Sequence, residues 1–125
     1  MTKTKFITTL ALLFVASVGF AQTIDDIPLK DLKADYIKII GFNRIQYTKL
    51  VIDFDYGQKD RVIDTKRVVV RDENEKPIQF QSMIDALNFM TRNGYDFVQA
   101  YALQIGEQAV MHYLLRKRQP VGNSN

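Results

Sequence analysis

Apolar residues recur along this chain with two different periods, and one stretch contains both. From Phe80 to Gln104 the sequence reads FQSMIDALNFMTRNGYDFVQAYALQ. Met83, Ile84, Leu87 and Met90 recur at helical spacing, with Phe89 flanking them, which predicts an amphipathic helix. Ser82 stands where an N-cap belongs, and Asp85, three residues on, supplies the acidic member of a capping box. Asn93-Gly94 ends the helix, because glycine takes the left-handed conformation that closes a last turn. Tyr95 to Leu103 then alternates Phe97, Tyr101 and Leu103 with Val98, Ala100 and Ala102. Both faces are apolar or small, and a strand without a wet face reads as a central one.

The period of two also governs the chain upstream. Tyr36 to Phe42 (YIKIIGF) is a first strand. In Ile45 to Tyr56 (IQYTKLVIDFDY), Leu50, Ile52, Phe54 and Tyr56 alternate with Lys49, Val51, Asp53 and Asp55, the mark of a strand with one buried face. Gly57 to Asp60 is turn-like, and Arg61 to Arg71 (RVIDTKRVVVR) returns as a third strand, giving a hairpin. The register that puts Asp53 opposite Lys66 also sets Val51 opposite Val68 and Lys49 opposite Val70. Asp72 to Pro77 (DENEKP) is a polar turn. A turn at Gly106 leads into a last strand, Ala109 to Arg118. Short connections favour antiparallel neighbours, so the expected fold is α+β: an antiparallel sheet of about five strands, ordered β-β-β-α-β-β along the chain, with one helix packed on one face.

The ends are read differently. Lys3 and Lys5 precede an apolar run from Phe6 to Phe20, and Gly19-Phe20-Ala21 offers small residues at the two positions a signal peptidase reads. The run falls short of the roughly 20 residues that span a bilayer. Residues 1–21 are therefore expected to be a signal peptide, 22–34 a tether with one helical turn near Pro28, 35–118 a single α+β domain, and 119–125 a frayed tail. This implies an exported protein, periplasmic or secreted, with no membrane insertion after leader removal.

The whole chain carries 17 Lys and Arg against 14 Asp and Glu. The leader holds two of those lysines and no acid, leaving 15 against 14. Such an interleaved balance lacks the one-signed patch that nucleic-acid binding needs. There is no cysteine. Disulfides, thiol nucleophiles, thiolate metal sites and a lipid anchor on a residue after the leader are thereby excluded.

The run Ser82-Met83-Ile84-Asp85-Ala86-Leu87-Asn88-Phe89-Met90, then Gly94-Tyr95-Asp96-Phe97-Val98, then His112-Tyr113-Leu114-Leu115-Arg116-Lys117 resembles small exported bacterial proteins of unknown function. More distantly it is similar to a family of short domains sharing a Leu-Asn pair in a helix, a Gly-aromatic-acid turn and a basic-ended closing strand. The likeness covers Tyr36 to Arg118, and this chain has Tyr95 where the distant family usually has Trp. It implies a fold and no activity.

Candidate chemistry is sparse. His112 is the only histidine, the residue type most used as general base or metal ligand, but the sequence marks no partner for it. Asp53, Asp55 and Asp60 sit near Gly57, yet the spacing departs from a calcium loop, which needs Gly at its sixth position and a closing acid. No catalytic, metal or cofactor-binding residue is assigned. The surface expected to matter is Tyr95, Tyr101, Tyr113, His112, Arg116 and Arg118: aromatic groups suited to partner contacts, with a basic strand end. The leading expectation is a non-enzymatic exported binding module, homodimeric through an open sheet face or edge, whose other partner is an unidentified protein or small molecule. A periplasmic binder of a glycan or peptide is the second reading, and a His112-dependent hydrolase the third.

Overall fold

The computed structural model describes residues 21–43, 50–59 and 67–121. Residues 1–20, 44–49, 60–66 and 122–125 lie outside them, and with them most of the expected signal peptide and the end of the expected tail. The described elements are β1 (Thr23–Ile24), β2 (Ile27–Pro28), a 3-10 turn (Leu29–Asp31), β3 (Tyr36–Asn43), β4 (Leu50–Asp55), β5 (Val70–Arg71), α1 (Met83–Arg92), β6 (Tyr95–Ile105) and β7 (Gln108–Lys117). The fold is α+β with antiparallel pairing throughout. Among the described residues there are seven strands in two sheets, not about five in one: a small sheet ordered β2-β1-β5 and a larger one ordered β4-β3-β7-β6.

α1 forms where its sequence dictates. The Ser82 hydroxyl accepts the Asp85 amide at 3.0 Å, one of the donors that a helix start otherwise leaves orphaned. The Asp85 carboxylate reaches back one residue further than a standard capping box, to the Gln81 amide at 2.9 Å. At the other end Gly94 adopts φ +92°, and the Asn93 side chain donates to the Phe89 carbonyl at 2.8 Å. The buried face is Met83, Ala86, Phe89 and Met90, with Leu87 packed at its margin. Ile84, expected in the stripe, is 54 % exposed. With 3.6 residues per turn, Ala86 lies at the middle of the buried arc and Ile84 falls outside it. The small Ala86 lets the helix lie close, and Met83 fills the notch above Gly41 of β3.

Beneath α1 the sheet presents Ile37, Ile39, Phe54 and Leu115, all buried. Phe80 bridges Phe54 and Phe89, its ring edge-on to each at 5.6 and 5.3 Å between centroids. Edge-to-face rings at that separation add to what burial alone contributes.

Three expectations are corrected. Residues 22–34 are not a tether: Ile24, Leu29, Leu32 and Ala34 are buried in the core, and the expected turn is the 3-10 turn. The chain turns between β1 and β2 on Asp25 and Asp26, both at positive φ (46° and 66°), a backbone that aspartate tolerates better than most residues. Second, β4 does not pair with Val68 to Arg71. It pairs with β3, Val51 standing opposite Phe42, while Val70 pairs with Ile24 of β1. The partners assigned to Asp53 and Lys49 involve Lys66 and Lys49, outside the described residues. The Asp53 carboxylate accepts the Val68 amide at 3.2 Å instead. The buried N-terminal segment supplies the partner that sequence proximity had given to β4. Third, β6 is not central. It ends the larger sheet, and β7 occupies the place between β3 and β6.

Contacts remote in sequence close the structure. The Lys117 backbone amide donates to the Asp35 carbonyl at 2.7 Å, its ammonium to the Leu32 carbonyl at 2.7 Å, and the Asn93 Nδ2 to the Gln22 Oε1 at 2.7 Å.

Candidate functional site

β6 follows directly from the glycine that stops α1, and the two elements differ in reach. Ten helical residues span about 15 Å, whereas eleven strand residues span about 36 Å. The helix therefore covers only the start of β6. Tyr95 is fully buried, and its hydroxyl donates to the Ala34 carbonyl at 2.9 Å. Burial, with the Asp35 charge adding to it, pushes its phenol above the ordinary tyrosine range. Beyond Tyr95 the strand emerges. Phe97, Val98, Leu103 and Ile105 are 46, 47, 47 and 61 % exposed. The apolar composition that suggested a central strand belongs to an uncovered one.

The far end of β6 overhangs the rest of the sheet. β7 pairs with β3 from Met111 to Arg116, but with β6 out to Gln108. Among the described residues the tip, turned at Gly106, is thus a two-stranded arm. A bulge near its base interrupts the register between Phe97 and Gln99. From Gln99 to Ile105 the pairing runs without interruption. Among the described residues no strand pairs with the outer edge of β6.

The six residues expected to form an interaction surface divide between two faces. Tyr101 stacks on His112, ring centroids 5.0 Å apart and planes 5° from parallel. His112 is buried, opposite Ile40 on one side and Tyr101 on the other. Arg116 shares that face of β7 and lies 5.9 Å above the Tyr36 ring. Tyr113 is on the helix-covered face, edge-on to Phe97 at 5.7 Å, and Tyr95 is core. Arg118 grips Asp96 through Nη2 at 2.6 Å and Nε at 3.1 Å. That contact holds the Asp96 carboxyl below its ordinary range. Tyr101, His112 and Arg116 therefore share one face, Tyr101 against His112 and Arg116 about 13 Å further along β7, while Tyr95 and Tyr113 pack on the other.

Two recesses lie elsewhere. One, of about 760 Å3, runs along Leu50 to Ile52, Arg67 to Val70 and Pro77 to Gln81. The other, of about 480 Å3, includes Asp26, Arg71, Asp72 and Glu75. Neither includes a tyrosine or His112. Among the described residues no group of three or more His, Asp or Glu is arranged to hold a metal ion, and no helix is long and apolar enough to cross a membrane.

Sequence reasoning overlooked the clasp around Asp25. Its carboxylate accepts the Tyr56 hydroxyl at 2.8 Å and the Val69 amide at 2.9 Å, and its own amide donates to the Val69 carbonyl at 2.8 Å. Burial, then the hydrogen bond and charge of Asp25, push the Tyr56 phenol up to about 12. The signal was the Asp-Asp pair, suited to a turn, set between the β-branched Thr23-Ile24 and Ile27, which the tether reading passed over.

No protein-family profile, no curated protein and no solved structure matches the chain.

Proposed function

We propose that this protein is an exported, non-enzymatic interaction module, and that its working surface is the outer edge of β6, which recognises an extended polypeptide by adding it to the sheet. One observation carries the reading. Phe97 to Ile105 is nine residues of terminal strand without a charge, a proline or a glycine. Proteins that keep a strand edge from pairing place lysine or proline on it, shorten it or cover it. Among the described residues β6 has a single bulge at its base and none of the other devices. Unpaired main-chain groups along such an edge give affinity to any extended chain, and the flanking side chains, here Phe97, Tyr101 and Leu103, give selectivity. The apolar run Phe6 to Phe20 behind Lys3 and Lys5 supports export.

The test is titration of isotope-labelled protein, at low micromolar concentration, with a library of extended octapeptides. The expected result is amide shifts confined to β6 and the facing part of β7. Peptides that leave every β6 amide unmoved up to about 1 mM, the level at which even a binding free energy of about −4 kcal/mol registers, would refute the proposal.

A further inference from the structure

We infer that the occupant of this edge is β6 of a second copy, paired antiparallel about a two-fold axis through Ala102. The inference rests on the strand-edge reading above and adds the identity of the partner. An isologous contact requires one surface to complement itself. The uninterrupted stretch Gln99 to Ile105 does so when centred on Ala102. Tyr101 then stands opposite Leu103 of the second copy, an aromatic-aliphatic pair of the kind that stabilises antiparallel strands. Gln99 meets Ile105, Ala100 meets Gln104, and the residue on the axis is small enough to face itself. The bulge at Val98 lies outside the paired stretch.

Charge does not oppose the arrangement: nothing within Gln99 to Ile105 is charged, so no like charges are forced together. The two projecting arms become the middle of one continuous eight-stranded sheet, built from two copies of the four-stranded one. Seven residues of edge amount to about 23 Å. The area is below the roughly 1,200 Å2 of a stable interface, so the association is reversible and concentration-dependent.

Sedimentation equilibrium of the purified protein from about 5 micromolar to about 1 mM spans the range in which a contact of this size associates. A monomer–dimer equilibrium is expected. Leu103→Lys, at a position already half exposed, weakens it at least tenfold with an unchanged circular dichroism spectrum. Ala102→Cys introduces the only cysteine of the chain and crosslinks the dimer on mild oxidation, because facing residues of an antiparallel pair lie within disulfide reach. Tyr36→Cys, exposed on β3, does not crosslink it. A monomer at every concentration overturns the inference, as does a dimer indifferent to Leu103→Lys and silent at Ala102→Cys. If the protein stays monomeric while peptides still shift the β6 amides, self-pairing is wrong and the strand-edge reading stands. If neither occurs, both fall.

Discussion

Gly41 offers the sharpest test of how α1 sits on the sheet. It lies in β3 between Ile52 and Met111, and a methyl group added there would fall inside van der Waals contact with Sδ of Met83, and 3.2 and 3.4 Å from its Cγ and Cε. Gly41→Ala therefore overpacks the notch. Overpacking costs about 1–3 kcal/mol, and the three rotatable bonds of methionine keep the figure near the lower end. Against this, replacing glycine restricts the unfolded chain and stabilises by about 0.4–1 kcal/mol where the backbone accepts a side chain. The net expectation is a loss of about 0.5 kcal/mol, read as a lower urea midpoint at constant slope. In a Met83→Ala background, itself about 2–5 kcal/mol less stable, the same methyl enters the space that Met83 vacates, and Gly41→Ala becomes neutral or stabilising. The two substitutions should couple by about 1–2 kcal/mol, within the range for residues in contact. Additivity to within about 0.5 kcal/mol would refute the packing described here and place the strain in the backbone of β3 instead.

Further outcomes follow from two phenols, one buried and one half-buried. Tyr95→Phe removes the donor to the Ala34 carbonyl and leaves a buried acceptor without it, so chemical denaturation should show a loss of about 1–3 kcal/mol. For Tyr56, the unfolded phenol ionises near 10 and the folded one near about 12. Its contribution to stability is therefore fully present below pH 10 and is lost as the pH climbs between those values. Asp25→Asn, which keeps a residue type suited to positive φ, should bring the Tyr56 titration, followed by ultraviolet absorbance, down toward 10. An unshifted titration would mean that Asp25 does not act on it.

Much of this fold is written locally. Ser82, Asn93 and Gly94 state where α1 begins and ends, and Gly106 states where β6 turns into β7. Alternation in Leu50 to Asp55 likewise gives a strand. Pairing partners are a different matter. Nothing near Val70 in sequence says that its neighbour is Ile24, because that choice is made by the burial of Ile24, Leu29 and Leu32 together. The edge position of β6 was hidden for a related reason. Composition reports that Phe97, Val98, Leu103 and Ile105 avoid water, and an interior strand and a strand awaiting a partner meet that description equally. What separates them is the length of α1 relative to β6, which is legible in the sequence once the helix stop at Gly94 is placed. The Tyr101–His112 stack depends on the register across the β6 bulge and could not be read before that register was known.

The bonds from Leu32 and Asp35 to Lys117, and from Gln22 to Asn93, have a consequence for biogenesis. A ribosome releases the N-terminal residues first, yet their hydrogen-bonding partners are polymerised some 70 to 85 residues later. Until that moment Ile24, Leu29 and Leu32 have no interior to enter, and a nascent chain lacking its last strand also lacks the middle of its larger sheet. Contacts this distant close slowly. The larger sheet therefore cannot close until β7 has been made.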